Sequence, residues 1–98
     1  LLHDYFKKRK ALTVVIIFMD IRHPLKEIDQ QMIKLCISSN VAFIPVLTKA
    51  DKISRNKVNQ SKQSVIKKLP NCSPIAISVL NKTGIDLLRK EILKYCDA

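Results

Sequence analysis

The run Leu12-Thr13-Val14-Val15-Ile16-Ile17-Phe18-Met19 is apolar or β-branched at every position and never alternates with polar residues. A strand with one wet face alternates, so this continuity predicts a parallel strand covered on both sides. Parallel strands need crossover connections long enough to hold helices, and the chain downstream provides them. Asp20 ends the run, and Ile21-Arg22-His23-Pro24 forms a loop whose proline suits the approach to a helix or its first turn. From Leu25 to Ser38, the residues Leu25, Ile28, Met32, Leu35 and Cys36 fall on one helical face, and Asn40 marks the end. Val41 to Leu47 is a second buried strand, with Pro45 a local irregularity because proline donates nothing to the ladder. A polar loop spans Thr48 to Asn56, and a basic helix from about Lys57 to Leu69 turns Val58, Val65, Ile66 and Leu69 inward. Pro70 to Pro74 is a turn, Ile75 to Ser78 a short third strand, and about Gly84 to Tyr95 a last helix burying Ile85, Leu88, Ile92 and Tyr95. Upstream, Leu1, Leu2, Tyr5 and Phe6 recur at helical spacing, and Lys7 to Lys10 place cations at that helix's negative end.

Strand and helix thus alternate three times. This predicts an α/β fold, a parallel sheet in a three-layer sandwich, with ligands bound at the carboxyl ends of the strands. Residues 1–98 make one small domain, and no apolar run approaches the ~20 residues that span a bilayer. The opening Leu1-Leu2-His3 has no methionine and no secretory pattern, so the chain is expected to be a piece of a longer product. A trimmed whole small protein is the alternative. Cys36, Cys72 and Cys96 are odd in number and widely spaced, with no CxxC. They make neither a zinc site nor a disulfide framework, and reduced, mostly buried thiols in the cytoplasm are expected. The net charge of +10 suits a polyanion such as RNA, because each neutralised phosphate releases a counterion. Lysine-rich solvated helix faces account for it equally well.

Two loops carry chemistry. After the second strand stands Thr48-Lys49-Ala50-Asp51. A carboxylate at Asp51 accepts two hydrogen bonds, from the ring N–H and the exocyclic amine of guanine, a donor pair that adenine lacks. Lys49 lays its aliphatic stem along the base. After the third strand comes Ser78-Val79-Leu80-Asn81-Lys82-Thr83-Gly84, whose tight turn can aim an N–H at the guanine 6-oxo group. Gly84, the one glycine, supplies positive φ at the entry to the last helix. Each motif is weak alone, and their spacing by one helix and one strand is what makes the pair persuasive. The predicted guanine-binding set is Thr48, Lys49, Asp51, Ser78, Val79 and Leu80, with no catalytic residue and no metal ligand. Asp20 at the end of a hydrophobic strand imitates a Walker B carboxylate, yet no GxxxxGK[ST] phosphate loop accompanies it. Asp20 is read instead as ordering its loop by pairing with Arg22. His23 is read as a packing or hydrogen-bonding residue, and Met32 and Cys36 as core.

At these residues the chain resembles the EngB (YihA/YsxC) family of bacterial GTPases. The resemblance lies in Met19-Asp20-Ile21-Arg22-His23-Pro24-Leu25, Asp29-Gln30-Gln31-Met32-Ile33, Leu47-Thr48-Lys49-Ala50-Asp51-Lys52, the loop from Ser78 to Gly84, and Leu2-His3-Asp4-Tyr5. It covers nearly the whole chain in one register. It implies the C-terminal half of a Ras-like P-loop GTPase domain. For the intact protein it implies GTP and GDP with Mg²⁺, assembly of the large ribosomal subunit through that subunit or its RNA, and in some members cell division. The family's GxxxxGK[ST] and Mg²⁺-holding DxxG precede the position of Leu1, so this chain alone is expected to bind no nucleotide and hydrolyse no GTP. Family members usually carry a small residue where Val79 stands. In that arrangement the first strand of the domain lies beside Leu12–Met19, so its absence leaves a hydrophobic edge, and self-association or swapping is expected. The alternative function is a basic α/β module that binds RNA or protein and no nucleotide. A response-regulator-like domain is disfavoured because no acidic cluster follows the early strand.

Overall fold

A computed structural model of the chain describes residues 14–70 and 72–96. The helix expected over Leu1–Lys10, strand residues Leu12 and Thr13, and Asn71 in the turn lie outside the described residues, as does the side chain of Cys96. The element order is β1 (Val14–Asp20), α1 (Glu27–Ser38), β2 (Ala42–Thr48), a 3-10 turn (Ala50–Lys52), α2 (Arg55–Lys68), β3 (Ile75–Ala76) and α3 (Ile85–Cys96). The three strands form one parallel sheet in the order β1-β2-β3.

Both sheet faces carry a core, as β-branched strands between helices require. Ile17, Met19 and Leu47 pack with Ile21, Leu25, Ile33, Cys36 and Val65 on the side of α1 and α2. On the other side Ile44, Val46, Ile75 and Ile77 pack beneath Leu88, Ile92 and Tyr95 of α3. The expectation that β1 is covered on both faces fails at its end. Phe18 points to the α3 side and is 59% exposed, because α3 lies over β2 and β3. This is an α/β layout of the kind found in part of a Ras-like GTPase domain.

Pro45 sits in the middle strand, fully buried and paired with Ile17. Its tolerance follows from strand parity. The Leu47 carbonyl accepts from Ile77 N–H on the β3 side at 2.8 Å. Backbone groups two residues apart face the same way, so Pro45 also turns its missing donor toward β3. It does so one residue before pairing with β3 begins at Val46↔Ile75, where no ladder bond is needed.

Three expectations need correction. The first helix starts at Glu27, not Leu25: Leu25 takes the left-handed conformation (φ 58°), and Asp29 Oδ2 accepts from the Lys26 N–H at 3.0 Å. Such a reach-back from N3 to the N-cap is half of a capping box and fixes where the helix begins. The buried face is consequently rotated: Ile33 is 3% exposed, whereas Ile28, expected in the core, is 68% exposed. The second helix begins at Arg55 rather than Lys57, because the Ser54 hydroxyl accepts from the Lys57 N–H at 3.3 Å and caps it. The third strand pairs over Ile75–Ala76 alone, and Ser78 leaves the sheet to bridge Thr83. Asn40 does end α1 as expected. At φ 56° it donates to Ile37 O, and Val41 donates to Cys36 O, a Schellman closure.

Candidate functional site

β1 and β2 run in register from Val14↔Ala42 to Asp20↔Thr48, so they end level. The Thr48 Oγ1 donates to Met19 O at 3.2 Å, and its carbonyl accepts from Ile21 N–H at 3.0 Å, which ties the two strand ends together. Beyond Thr48 the chain turns sharply. Lys49 adopts φ 60° and Ala50 N–H reaches Ile77 O at 3.0 Å, so the Thr48–Asp51 loop is pinned to the end of the β3 segment.

That pin sets Asp51 against Ser78. The Ser78 hydroxyl, on a residue 1% exposed, donates to Asp51 Oδ1 at 2.8 Å and accepts from Asn81 N–H at 3.1 Å. One donor and one acceptor are thereby committed, and the hydroxyl has a single direction. The Ser78 bond holds the Asp51 carboxyl below its ordinary pKa against the opposing effect of burial, with smaller help from Asp51's own backbone, Lys52 and Arg22. Ser78 is the one residue whose side chain donates a hydrogen bond to the Asp51 carboxylate among the described residues.

Ser78 N–H and O exchange bonds with Thr83 at 3.0 and 3.1 Å, closing a tight loop over residues 79–82. Val79 and Leu80 protrude from it, 73% and 75% exposed, and their N–H groups make no hydrogen bond among the described residues. Gly84 closes the loop at φ 76°, where an added Cβ would collide with the Ala76 carbonyl oxygen. The glycine is needed twice, for its dihedral and for the close approach to β3.

Asp20 behaves as expected. Its Oδ1 accepts from Arg22 N–H at 2.9 Å and Nε at 3.0 Å, and its Oδ2 from Nη2 at 2.8 Å. The Arg22 hydrogen bonds hold the Asp20 carboxyl well below the usual carboxylate range, and Asp20 raises Arg22 in return. His23 is exposed and contributes its backbone N–H to Asp20 O at 2.9 Å. Cys36 and Cys72 are free thiols whose pKa values burial pushes up.

All six sequence-predicted residues therefore gather at the carboxyl ends of the strands. The loops thus bring together a fixed carboxylate, a lysine stem and two backbone N–H groups without a hydrogen bond among the described residues. Sequence reasoning missed the Ser78–Asp51 bond and the contact of Lys49 Nζ with Asp20 Oδ2 at 3.8 Å. Among the described residues no group of three or more His, Cys, Asp or Glu side chains is placed to hold a metal ion, and no helix is long and apolar enough to cross a membrane. A hollow of about 500 Å³ among Ile37, Phe43, Leu69, Cys72 and Tyr95 lies away from these loops and is lined chiefly by apolar side chains.

No protein-family model matches the chain. Curated relatives do: it is 41% identical over 95 residues to the probable GTP-binding protein EngB of Pasteurella multocida, covering 93% of this chain and 46% of that protein. The protein of the same name from Escherichia coli O157:H7 is 38% identical over 95 residues, with 93% and 45% covered. That of Salmonella paratyphi C gives the same identity and coverage, 38%, 93% and 45%. Over this stretch the chain is similar to the EngB proteins. It spans about half the length of the EngB proteins it matches. The aligned part includes the loops just described, since 93% of the chain is covered.

Proposed function

We propose that residues 1–98 are the guanine-selecting, C-terminal part of an EngB-type GTPase domain. The observation that carries this reading is the Ser78–Asp51 bond at 2.8 Å, which presents one fixed carboxylate beside the unpaired N–H groups of Val79 and Leu80. Asp51 accepts the ring N–H and exocyclic amine of guanine, and Lys49 covers the base with its stem. Thr48 ties the loop to β1, and Val79 and Leu80 close over the ring with an N–H toward the 6-oxo group. GTP-binding belongs to the names of the EngB relatives and comes to this chain through that kinship. In the intact protein the ligands are GTP and GDP with Mg²⁺. The phosphates and the metal are held outside residues 1–98, where no GxxxxGK[ST] occurs, so this chain alone binds no nucleotide and hydrolyses none.

Calorimetric titration of GDP and ADP tests this, using this chain and the same chain extended upstream to its relatives' length. The extended chain should prefer GDP, and Asp51→Asn should remove about tenfold to hundredfold of that preference, the worth of one bidentate base contact. An extended chain that binds GDP and ADP alike overturns the reading.

A second reading has its own support. No acidic residue stands between Asp51 and Asp86, and α2 exposes Arg55, Lys57, Lys67 and Lys68 among Asn56, Asn59, Gln60 and Gln63. Such a face suits the phosphate backbone of RNA. It fits the role in large-subunit assembly, in the cytoplasm of a bacterium, that the EngB resemblance implies. An association with cell division rests on that resemblance alone. Under the module reading Lys67→Glu with Lys68→Glu weakens RNA binding and flattens its salt dependence, while Asp51→Asn changes nothing.

A further inference from the structure

We infer that Asp20 is a positioning residue for the guanine site: its carboxylate, gripped by Arg22, anchors the Lys49 ammonium and so sets the line of the Lys49 stem across the base. The inference rests on the guanine reading above and extends it to a residue of another loop.

Four observations converge on it. Asp20 and Thr48 are paired at the level ends of β1 and β2, which places the Asp20 side chain beside the residue that follows Thr48. Three hydrogen bonds from Arg22 occupy the Asp20 carboxylate, so its charge has a fixed place instead of a rotamer cloud. Lys49 Nζ lies 3.8 Å from Asp20 Oδ2, its one ion-pair partner among the described residues. The Lys49 backbone is itself fixed at φ 60°.

A lysine side chain fastened at its backbone and steered at its ammonium loses most of its freedom in between. A free lysine gives up much of its rotamer entropy on ordering, and a stem already steered gives up less when a base arrives. Lys49 is 57% exposed at its side chain, so the anchor is a screened, modest one. Its effect belongs to affinity for the base. Guanine over adenine stays with Asp51.

The test is a double-mutant cycle on GDP affinity in the protein extended to its relatives' length, with Asp20→Asn, Lys49→Met and both together. Lys49→Met keeps an unbranched stem and removes only the charge that Asp20 holds. Asp20→Asn should weaken GDP binding about threefold, within the range of an exposed ion pair, and leave the GDP-to-ADP ratio unchanged. In the Lys49→Met background the same change should have no further effect. A loss that is equal in both backgrounds means that Asp20 merely shapes its own loop, and that overturns the inference, as does no loss at all. Should Asp20→Asn lower the melting temperature enough to confuse the reading, Arg22→Gln releases the carboxylate while retaining it, and its loss must also vanish with Lys49→Met. The guanine reading fails separately: there, Asp51→Asn leaves the GDP-to-ADP ratio where it was.

Discussion

Asp51 shows how one hydroxyl prepares a carboxylate for its work. With Ser78 donating to Oδ1, the carboxyl is held anionic and in one place, as the proposed contact with guanine requires. Ser78→Ala should let the Asp51 pKa rise toward the ordinary carboxylate value near 4, read by NMR titration of the side-chain carbon. The sign for stability follows. A carboxyl whose pKa is depressed by folding stabilises the native state above its unfolded value, and that contribution fades as pH falls through the folded one. Asp20 and Asp51 are both depressed, so melting temperatures should drop as the solution is acidified below about pH 4. Asp20→Asn should flatten that acid limb more than Ser78→Ala, since Arg22 depresses Asp20 more strongly than Ser78 depresses Asp51. At Gly84 the constraint is steric. Gly84→Ala forces a left-handed dihedral on an L-residue and drives its Cβ onto the Ala76 carbonyl. It should cost at least about 1–3 kcal/mol, measured as a shift in denaturant midpoint without a change in slope.

The helices and strands owe their boundaries to caps and pairings more than to composition. Ser54 caps α2 through the Lys57 N–H, so Ser54→Ala should destabilise by about 1 kcal/mol and fray the first turn, seen as faster amide exchange at Lys57 and Val58. Ser54 fell inside the stretch read as a polar loop, so the helix was expected to begin two residues later than it does. The β-branched runs announced β1 and β2 almost to the residue, and period and length announced three helices. Helical phase was harder. Ile28 fell on the expected apolar face because Leu25 was counted into the helix, and Leu25 instead stands before it with positive φ. Leu25 is still buried at 9% exposure, so its side chain serves the core from a loop. β3 was read as four residues, because which of them find a partner depends on β2 and on where Ser78 turns off. The residue types of the proposed site were read from two loops at βαβ spacing. Their bonds to each other, across 27 positions in the case of Ser78 and Asp51, depend on the folded loops and not on any local pattern.

At the scale of the molecule, the sheet is sealed in its middle strand, and among the described residues the longer of its two edges is β1. β2 pairs on both sides, whereas β1 pairs only with β2 among the described residues, leaving a seven-residue edge that carries the bared ring of Phe18 two residues before its end. Edges of this kind template pairing with another chain unless charge, proline or a bulge blunts them, and Val14 to Met19 carries none of these. Phe18 adds a further incentive, since burying a phenylalanine is worth about 1.5–3 kcal/mol. Residues 1–98 on their own should therefore self-associate or exchange strands, giving a species larger than a monomer in sedimentation at micromolar concentration. Phe18→Lys places a charge on the open face without touching the cluster around Ile17 and Met19, and it should shift the population toward monomer with little loss of helix signal. If the unaltered chain sediments as a monomer, the edge is already protected and the swap is excluded. If it associates but Phe18→Lys does not loosen it, the contact lies elsewhere, on the exposed side chains of α1 or α3. The chain extended upstream gives the decisive contrast. In the proposed half-domain arrangement its own strand covers β1, and association should disappear together with the accessibility of Phe18.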